Sequence, residues 1–349
     1  METGLVLGVE TSCDETAAAV VDGRLRVLSS VVASQDDLHR PFGGVVPEIA
    51  SRRHLEAIIP VMEQALSDAG VGPEVLAGVA VTYGPGLIGA LLVGLQAAKG
   101  FAWAHDLPLV GVNHLHGHLL AVGLCCDEAD RERPRPALPY VALLVSGGHT
   151  ATYRINNWCD VELIGDTRDD AAGEAIDKFA RMAGLGYPGG PVVDRLAEGG
   201  DPQAYQFPRA LRSEGHDFSF SGLKTAVRLH LQRHGVPEAG SELSDLCASV
   251  QEAVADVLVH KALRACEATQ VPRLVLGGGV AANRRLRALC LERGSPLGIQ
   301  VFLPPRSLCT DNAAMIAGAG VRLLAEARRG ADFPGGLDLN ASASLPVEA

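Results

Sequence analysis

The stretch LVLGVETSCDETAAAVVD, residues 5–22, decides the fold class of this chain. Its aliphatic residues 5–9 predict a short strand, its polar residues 10–16 predict a turn, and residues 17–22 predict a returning strand. The same order of strand, small polar turn and strand recurs in YVALLVSGGHTATYRI, residues 140–155. The repeated hairpin indicates that the chain contains two related halves.

A second repeated pattern is a strand followed by a glycine loop and a helix. It is predicted at residues 78–86, GVAVTYGPG, and again at residues 273–279, RLVLGGG, each leading into a helix. Two halves that share a hairpin and then a strand, a glycine loop and a helix indicate a duplicated α/β lobe. Sequence identity between the halves is low, so the order of elements carries this prediction.

Length and composition fit such a protein. A chain of 349 residues exceeds one ordinary hydrophobic core and favours two domains or lobes. A hydrophobic fraction of 47%, an aromatic fraction of 4% and 40 glycines are typical of an aliphatic α/β protein with many tight turns. The formal net charge of −11 argues against a chain that binds nucleic acid alone, because phosphate binding needs a dense basic surface. Small anions remain, or nucleic acid bound with the help of a partner.

The cysteines and the apolar segments favour a soluble, cytoplasmic protein. Eight cysteines without C-x-x-C pairing predict a reduced setting; they are Cys13, Cys125, Cys126, Cys159, Cys247, Cys266, Cys290 and Cys309. The N-terminus has no basic segment ahead of an apolar run, so no signal peptide is expected. The most apolar run, residues 86–104, contains Gln96 and Lys99, and we interpret it as a buried helix rather than a membrane span.

Charge and proline patterns predict the domain boundaries. Residues 127–139 combine charged residues with three prolines and are predicted to be the hinge. The first lobe is expected at residues 1–126 together with 311–335, and the second at residues 140–310. Residues 336–349 are expected to form a loosely ordered tail, as chain termini often do.

The motif NHLHGH, residues 113–118, places His114 and His118 four residues apart. On a helix these two side chains lie on one face, where two imidazoles can reach one metal ion. Two histidines rarely complete a metal site, so a third ligand, a carboxylate, is expected from elsewhere. A polar turn or buried histidines without metal explain the motif equally well at this point.

Asp311, within LCTDNAAM at residues 308–315, is the best candidate for the third ligand. It stands where a helix is predicted to begin, so an acidic residue that complements the helix dipole is the equal alternative. His116 lies about 200° around the helix from each of the paired histidines and is therefore not expected to coordinate the same ion.

Three glycine turns in the second half are candidates for anion binding. Residues 146–148, 189–190 and 277–279 can expose backbone N–H groups that hold phosphate or carboxylate. Tight turns explain each of them individually. Three such turns in one half, opposite a second glycine-rich half, favour a nucleotide cleft between the lobes.

Several polar residues near these turns are further candidates. Spacing places Asp170, Glu174 and Asp177 on one helical face, and the attraction of acids to a helix N-terminus explains Asp177 least well. Asp194 could accept a hydrogen bond from a ligand hydroxyl or cap a helix. Asn283 could bind a nucleobase or ribose edge, or serve the turn alone. Arg284, Arg285 and Arg287 are interpreted as a solvated helix face.

Nine motifs occur together in an order that resembles one known family. They are VETSCDET (9–16), GGVVPE (43–48), GPGL (84–87), VSGGHT (145–150), DDAAGEAIDK (169–178), YPGGP (187–191), FSFSGLK (218–224), GGVAANR (278–284) and CTDN (309–312). Together they resemble the TsaD family of tRNA threonylcarbamoyltransferases, from about residue 8 to residue 315. The resemblance implies a two-lobed α/β fold of the actin, sugar-kinase and heat-shock-chaperone ATPase superfamily, with duplicated lobes and an interlobe cleft.

The resemblance also implies an activity. Members transfer a threonylcarbamoyl group from threonylcarbamoyl-adenylate to the N6 amine of adenosine 37 in tRNAs that read codons beginning with A, and AMP is released. By position, His114, His118 and Asp311 resemble the ligands of one divalent metal ion, usually Fe²⁺, with Zn²⁺ or Mg²⁺ as alternatives. The residues that resemble the adenylate-binding set are Leu144, Val145, Ser146, Gly147, Gly148, Asp177, Gly190, Asp194 and Asn283.

The chain departs from the family pattern at one position in the histidine motif, and the proton acceptor of the reaction has two candidates. The bacterial family commonly has glutamate where this chain has His116, which affects the surroundings of the metal rather than its ligands. Asp14 or Glu15, in the first turn, is the candidate acceptor for the proton of the attacking amine, and a soluble turn is the equal alternative. The implied partners are tRNA, the paralogue TsaB and the ATPase TsaE, with TsaC supplying the adenylate.

Three other functions compete with transfer. A zinc protease of the H-E-x-x-H type is excluded because residue 115 is leucine and no general base follows the first histidine. An ATP-dependent small-molecule kinase of the same superfamily is the enzymatic alternative, and it would release ADP. A non-catalytic nucleotide-binding scaffold is the third.

Overall fold

The computed structural model describes residues 4–127, 129–157 and 160–347. Two compact units are distinguished: unit 1 comprises the described residues of Met1–Arg135 and Thr310–Val347, and unit 2 comprises those of Pro136–Cys309. No helix in these described ranges has the length and apolar character needed to span a lipid bilayer.

The strands and α-helices follow one another in this order: β1 Leu5–Glu10, β2 Glu15–Val21, β3 Val27–Ser34, α1 Asp36–His39, α2 Pro47–Ala69, β4 Leu76–Gly84, α3 Ile88–Ala104, β5 Leu109–Asn113, α4 His114–Leu120, β6 Tyr140–Val145, β7 Thr150–Asn157, β8 Asp160–Asp166, α5 Ala172–Met182, α6 Gly189–Leu196, α7 Ser221–His234, α8 Ser241–Thr269, β9 Arg273–Gly277, α9 Arg284–Gly294, β10 Gln300–Phe302 and α10 Ala313–Ala327. Short 3-10 turns connect several of them.

Unit 1 is built on a five-stranded sheet in the order β3-β2-β1-β4-β5. β1, β2 and β3 form antiparallel pairs, and β4 and β5 extend the sheet in parallel with β1. Parallel neighbours need a crossover, and α2 and α3 supply the connections around β4. The hairpin predicted from residues 5–22 is therefore the antiparallel half of this sheet.

The two faces of the unit 1 sheet bury alternate residues of β1. Leu7 and Val9 lie in a cluster with apolar side chains of α2 and α3. Gly8, between them, meets the backbone of α10, and an added Cβ there would lie 2.6 Å from the Ala317 nitrogen. Since side chains alternate along a strand, α10 packs on the face opposite to α2 and α3.

Unit 2 repeats the topology of unit 1. Its sheet has the order β10-β9-β6-β7-β8, with β6, β7 and β8 antiparallel and β9 and β10 parallel to β6. The long helix α8 contributes much of the core, in which Val250, Val257 and Leu258 are almost wholly buried. The predicted duplication of an α/β lobe is confirmed by this matching strand order.

The unit boundaries differ slightly from the predicted ones. Residues 129–135, predicted as part of the hinge, lie within unit 1 because Arg133 donates hydrogen bonds to the carbonyls of Val122 and Leu124, at 2.9 and 2.7 Å. The second boundary lies between Cys309 and Thr310.

The tail is better ordered than its composition suggests. Residues 336–347 pack on unit 1, where Ser342 N donates to the Tyr83 carbonyl at 2.7 Å and Asn113 Nδ2 donates to the Pro346 carbonyl at 2.9 Å. Leu339 and Val347 are buried. Buried apolar anchors and hydrogen bonds to two strand ends hold this segment, and those bonding partners lie far from it in the sequence. Residues 348 and 349 lie outside the described range.

The cysteines are unpaired where the structure describes them, and the apolar run at residues 86–104 forms a helix with one buried face. The seven cysteines within the described residues are free thiols, and Cys159 lies outside those residues. The apolar run forms α3, whose Ala90, Leu91 and Leu95 are buried. However, Ile88, Leu92 and Trp103 are exposed, so the expectation of a buried helix holds for one face only.

Candidate metal centre and nucleotide-binding loops

The histidine motif forms a helix because Asn113 caps it. The Asn113 side chain accepts hydrogen bonds from the backbone N–H groups of Leu115 and His116, at 2.9 and 3.4 Å. These are donors that a helix N-terminus otherwise leaves without partners. α4 therefore starts at His114, and the predicted helical spacing of His114 and His118 is present.

The two histidines meet Asp311 inside unit 1. Asp311 Oδ1 lies 3.0 Å from His118 Nε2 and 3.5 Å from His114 Nε2. The two imidazole rings stand edge to face, with centroids 4.8 Å apart. His118 is 1% exposed and His114 8%, so the centre is largely shielded from solvent.

Asp311 is available for this centre because its neighbour caps the following helix. Asn312 Oδ1 accepts a hydrogen bond from Met315 N at 3.0 Å, and α10 begins at Ala313. Asp311 precedes the cap and its carboxylate turns toward the histidines. The alternative explanation, that Asp311 serves the N-terminus of the helix, therefore loses its main support.

The arrangement suits one metal ion. One ligand atom from each of His114, His118 and Asp311 lies within 4.8 Å of the others. Ligands about 2.1 Å from a common ion are separated by about 3 Å when they stand at right angles, so small adjustments would bring the three atoms onto one centre. Two imidazoles and one carboxylate with open positions are the donor set that Fe²⁺ takes in many proteins, and Zn²⁺ also accepts it.

A buried carboxylate lies behind His114. Glu10 Oε2 is 3.1 Å from His114 Nδ1, and Ser12 Oγ is equally distant from that nitrogen. Burial works against a charged imidazole, but the carboxylates of Asp311 and Glu10 outweigh it and raise the pKa of His114 to about 9. Burial likewise opposes ionisation of Glu10, yet the adjacent His114 holds the pKa of that carboxyl below its usual range.

The two candidate proton acceptors lie in a second acidic group. Carboxylate oxygens of Asp14, Glu15 and Asp36 lie within 4.8 Å of one another. Burial, together with repulsion from Asp311 and Asp14, raises the pKa of Glu15 to about 10. Asp14 is 7% exposed. Such repulsion is relieved either by a bound proton or by a nearby cation.

His116 does not join the metal candidates. Its ring nitrogens do not converge with the ligand atoms of His114, His118 and Asp311. Its Nε2 is buried and has no hydrogen-bond partner among the residues that the structure describes. Burial lowers the pKa of His116 to about 4, so the ring is neutral at physiological pH. This placement agrees with the helical geometry that turns residue 116 away from its neighbours.

In unit 2, the turn at residues 146–148 follows β6 and faces the start of α5. Leu144 and Val145 are buried in β6, whereas Gly147 and Gly148 are exposed. Gly173, in the first turn of α5, approaches so closely that an added Cβ would lie 2.5 Å from the Ser146 carbonyl oxygen. A helix N-terminus beside an exposed glycine turn offers N–H donors and a positive dipole to an anion.

Asp177 and Gly190 are joined by hydrogen bonds. The Asp177 carboxylate accepts from the backbone N–H groups of Gly189 and Gly190, at 2.8 and 3.2 Å, and so caps α6. Asp170 and Glu174 instead pair with Lys178, at 2.9 and 2.5 Å. The predicted single acidic face is wrong in this respect, because α5 begins only at Ala172 and leaves Asp170 outside it.

Asp194 and Asn283 also have structural partners. Asp194 accepts from Arg284 N and Arg284 Nε, at 3.2 and 2.9 Å. Asn283 caps α9 by accepting from Leu286 N at 2.9 Å, and its Nδ2 donates to Gln251 Oε1 at 3.1 Å. These bonds fix the position of both side chains, while their role toward a ligand stays a prediction.

The interpretation of the arginines at the start of α9 as a solvated helix face is wrong. Arg285 pairs with the buried Glu252 at 2.6 Å, and Arg287 donates to the carbonyls of Ala281 and Pro304, each at 3.0 Å. They connect elements of unit 2 instead of forming a solvated face. Glu10 was not among the candidate residues derived from the sequence. The signal that could have identified it is a charged residue at the end of an otherwise apolar strand, where glutamate is unusual.

Known structures share this fold at low sequence identity. Component A of (R)-2-hydroxyglutaryl-CoA dehydratase from Acidaminococcus fermentans matches with a TM-score of 0.55 and 14% identity, covering 93% of this chain and 99% of that one. Full-length HypF matches with a TM-score of 0.58 and 14% identity, covering 93% of this chain and 47% of that one. These likenesses concern the fold alone, and they define the class of this chain as an α/β protein whose two units each contain a five-stranded mixed sheet.

Sequence relatives define the family within this class. The profile of TsaD, described as tRNA N6-adenosine threonylcarbamoyltransferase, matches residues 26–318. A protein of that name from Anaeromyxobacter dehalogenans is 57% identical over 338 residues, 96% of this chain and 97% of its own length. Another from Sorangium cellulosum is 57% identical over 331 residues, 93% of each chain. The chain belongs to the TsaD family and is an enzyme that transfers a threonylcarbamoyl group to adenosine in tRNA.

Proposed function

We propose that this enzyme takes the threonylcarbamoyl group from threonylcarbamoyl-adenylate and transfers it to the N6 amine of adenosine 37, releasing AMP. The tRNAs concerned are those that read codons beginning with A. The observation that carries the proposal is the convergence of His114, His118 and Asp311 in a buried centre of a chain with this family membership. A kinase would share the fold but has no evident use for that centre.

In this proposal His114, His118 and Asp311 hold one divalent ion, Fe²⁺ in preference to Zn²⁺ or Mg²⁺. The bound ion supplies Lewis-acid stabilisation of negative charge on the leaving phosphate. α4 positions the two histidines and the segment just before α10 positions Asp311, and burial keeps water from competing for their positions. Glu10 contacts His114 through Nδ1, the ring nitrogen that does not face Asp311.

Unit 2 is proposed to bind the adenylate. The exposed turn at residues 146–148 and the N-terminus of α5 offer backbone donors for phosphate or for developing oxyanion charge. Asp177 holds Gly190 in place, and Asp194 with Asn283 anchors α6 and the loop before α9. These residues shape the adenylate site by orienting the backbone as well as through their own side chains.

Asp14 and Glu15 are adjacent residues of the first turn and are the two candidate proton acceptors. Burial, together with repulsion from Asp311 and Asp14, raises the pKa of Glu15 to about 10 and favours a proton on its carboxyl group while no cation lies beside Asp311. A divalent ion held by Asp311 offsets this repulsion. We propose that one of these two carboxylates, Asp14 or Glu15, takes the amine proton in the metal-loaded enzyme.

Protein partners and a cytoplasmic setting complete the proposal. With a net charge of −11 the chain needs help to hold tRNA, and TsaB and TsaE, with TsaC as the source of adenylate, are the proposed partners. Apolar side chains remain exposed at helical spacing on α2, Leu55 at 65% and Ile59 at 51%, and on α3, Ile88 at 47% and Leu92 at 44%. Exposed apolar rows of this kind suit a protein partner.

The test compares three histidine and aspartate variants with the wild type. H114A and D311A should lose bound metal, measured by elemental analysis after anaerobic purification, together with transfer to unmodified tRNA. H116A is the matched control, because it removes a histidine from the same helix and should retain metal. Full transfer by metal-free protein would refute the metal role, and ADP release with a sugar substrate would support the kinase.

A further inference from the structure

The carboxylate of Glu10 is fully enclosed and makes three contacts. It is 0% exposed at the end of β1. Its Oε1 accepts a hydrogen bond from Ser12 N at 2.5 Å, and its Oε2 accepts one from Thr82 Oγ1 at 2.5 Å. The third contact is His114 Nδ1, 3.1 Å from Oε2.

These contacts determine which nitrogen of His114 faces the centre. An ionised carboxylate only accepts hydrogen bonds, so the His114 nitrogen beside it carries the hydrogen. Nε2 is the nitrogen on the side of Asp311 and His118, so it is the one whose proton a bound metal ion would displace. In metal sites a carboxylate behind a histidine fixes the ring orientation and makes the coordinating nitrogen a stronger ligand.

We infer that Glu10 is a positioning residue that presents His114 Nε2 to the metal ion. The inference rests on the proposed metal centre and adds a fourth residue to it, one that touches no reacting atom. Burying a carboxylate is unfavourable unless each oxygen is paired, and here both are. The strand β1 thus contributes to the centre through its last residue, and Thr82 on β4 contributes by holding Glu10.

The decisive variant is Glu10→Gln, which keeps the shape of the side chain. Its amide oxygen can still accept from Ser12 N, but its NH₂ group cannot accept from His114 Nδ1–H or from Thr82. Loss of such a partner weakens metal binding by about 10- to 100-fold. Glu10→Asp keeps the charge and withdraws the oxygens from His114, so it should weaken metal binding while folding is retained.

The experiment titrates metal-free full-length protein with Co²⁺ and follows visible absorption, which reports both affinity and coordination. E10Q and E10D should bind Co²⁺ at least tenfold more weakly than wild type, with an altered spectrum. Glu252→Gln is the matched control: a buried glutamate of unit 2 paired with Arg285, whose loss should leave Co²⁺ binding unchanged. Circular dichroism verifies that each variant is folded. If E10Q does not fold, the Co²⁺ affinity of E10D tests the role of Glu10 instead.

The outcomes separate the two claims. Wild-type affinity and spectrum in a folded E10Q or E10D variant would overturn the role of Glu10. A wild-type protein that binds no Co²⁺ would instead contradict the proposed metal centre. Weak binding restricted to the Glu10 variants supports both.

A different observation concerns the surface of unit 2. α7, residues Ser221–His234, contains Lys224, Arg228, Arg233 and two histidines but no acidic residue, in a chain whose net charge is −11. Leu223 and Val227 are buried, and the ring of His230 packs against Tyr205, with centroids 4.9 Å apart.

The inward contacts leave two arginines of α7 free for a ligand. Arg228 and Arg233 are exposed, and neither forms an ion pair anywhere in the part of the chain that the structure describes. In contrast, Arg284 and Arg285 of α9 pair with acids of unit 2. Guanidinium groups without a protein acceptor are suited to phosphate oxygens.

We propose that the exposed face of α7 contacts the phosphate backbone of the tRNA substrate. The test measures tRNA binding by the full chain, with and without partner proteins, as a function of salt concentration. Each lost phosphate contact lowers the slope of log affinity against log salt by about 0.7 to 0.9. R228Q/R233Q should therefore reduce the slope by about 1.5 and weaken binding about tenfold at low salt.

Arg53 and Arg329 supply the control, because both are exposed but already paired with Glu56 and Glu326. R53Q/R329Q should leave the slope unchanged. An unchanged slope in R228Q/R233Q would overturn the proposal, as would a defect that depends on a protein partner while tRNA affinity stays the same.

Discussion

Replacing Gly8 by alanine should destabilise unit 1 and disturb the metal centre. Gly8 lies in β1, two residues before Glu10, and faces the first turns of α10. An added Cβ would lie 2.6 Å from Ala317 N and 2.8 Å from Ala317 Cβ, and it would also collide with the Ala313 carbonyl oxygen. Two of these three atoms belong to the backbone, so no side-chain rotation can relieve the overlap.

The expected magnitude follows from these contacts. Forcing one extra carbon into a packed core costs about 1–3 kcal/mol, and backbone contacts place Gly8→Ala at the upper end. The reduced freedom of alanine in the unfolded chain offsets about 0.4–1 kcal/mol. We therefore expect a net loss of about 2 kcal/mol. Since Asp311 lies two residues before α10, separation of α10 from β1 should also weaken metal binding.

Gly100→Ala is the control with the opposite sign. Gly100 lies in α3, and an added Cβ would meet nothing within 4 Å. Alanine is the better helix former by about 0.5–1 kcal/mol, so this variant should be stabilised by that amount.

The assay is urea unfolding followed by circular dichroism, with Co²⁺ affinity measured in parallel. With a denaturant slope of about 2–3 kcal/mol per molar, G8A should lower the urea midpoint by about 0.7–1 M. G100A should raise it by about 0.2–0.5 M. A midpoint for G8A equal to wild type, or equal losses in the two variants, would refute the packing of α10 on β1 described above.

Three further predictions concern unit 2. Asp256→Ala should destabilise by about 3–5 kcal/mol, because this buried carboxylate pairs with Arg209, Arg212 and Arg293 and its loss leaves three guanidinium groups without it; the urea midpoint measures this. Asn283→Ala should cost about 2 kcal/mol, about half from the lost cap of α9 and half from the unpaired Gln251 oxygen, whereas Asn283→Asp should retain the cap. For Asp169, burial raises the pKa, but bonds from Ser219, Ser221 and two backbone N–H groups outweigh it and lower the pKa to about 2. Its stabilisation is present above pH 4 and is lost between about pH 4 and 2. Asp169→Asn should therefore cost about 1 kcal/mol at pH 7, discounted for exposure, about half as much at pH 3 and little at pH 2, measured by urea titrations across this range.

The repeated sheet was predictable because its signal is local. Alternation and aliphatic content predict β1, β2, β6 and β7, and glycine loops mark the turns that follow β4 and β9. The shared helical face of His114 and His118 was equally predictable, because a helix places residues four apart on one face. Each of these features depends on neighbours within a few residues of one another.

The remaining parts of the site depend on contacts across the chain. Glu10 and His114 are separated by 104 residues, and His118 and Asp311 by 193, so no local pattern connects them. The ordered tail at residues 336–347 likewise depends on bonds to Tyr83 and Asn113. Asp311 was a candidate ligand from its place in the sequence, with a helix N-terminus as the equal alternative, whereas no local pattern singled out Glu10.

By itself the sequence determined the duplicated α/β lobes, the helical pair of histidines and the membership of the TsaD family. Only the tertiary structure decided that Asn312, rather than Asp311, caps α10 and that Glu10 lies behind His114. It also decided that Asp177, Asp194 and Asn283 anchor helices of unit 2. The physical reason is that periodicity encodes which face of an element is buried, while the partner of a polar side chain is determined by which distant strand or helix the sheet brings beside it.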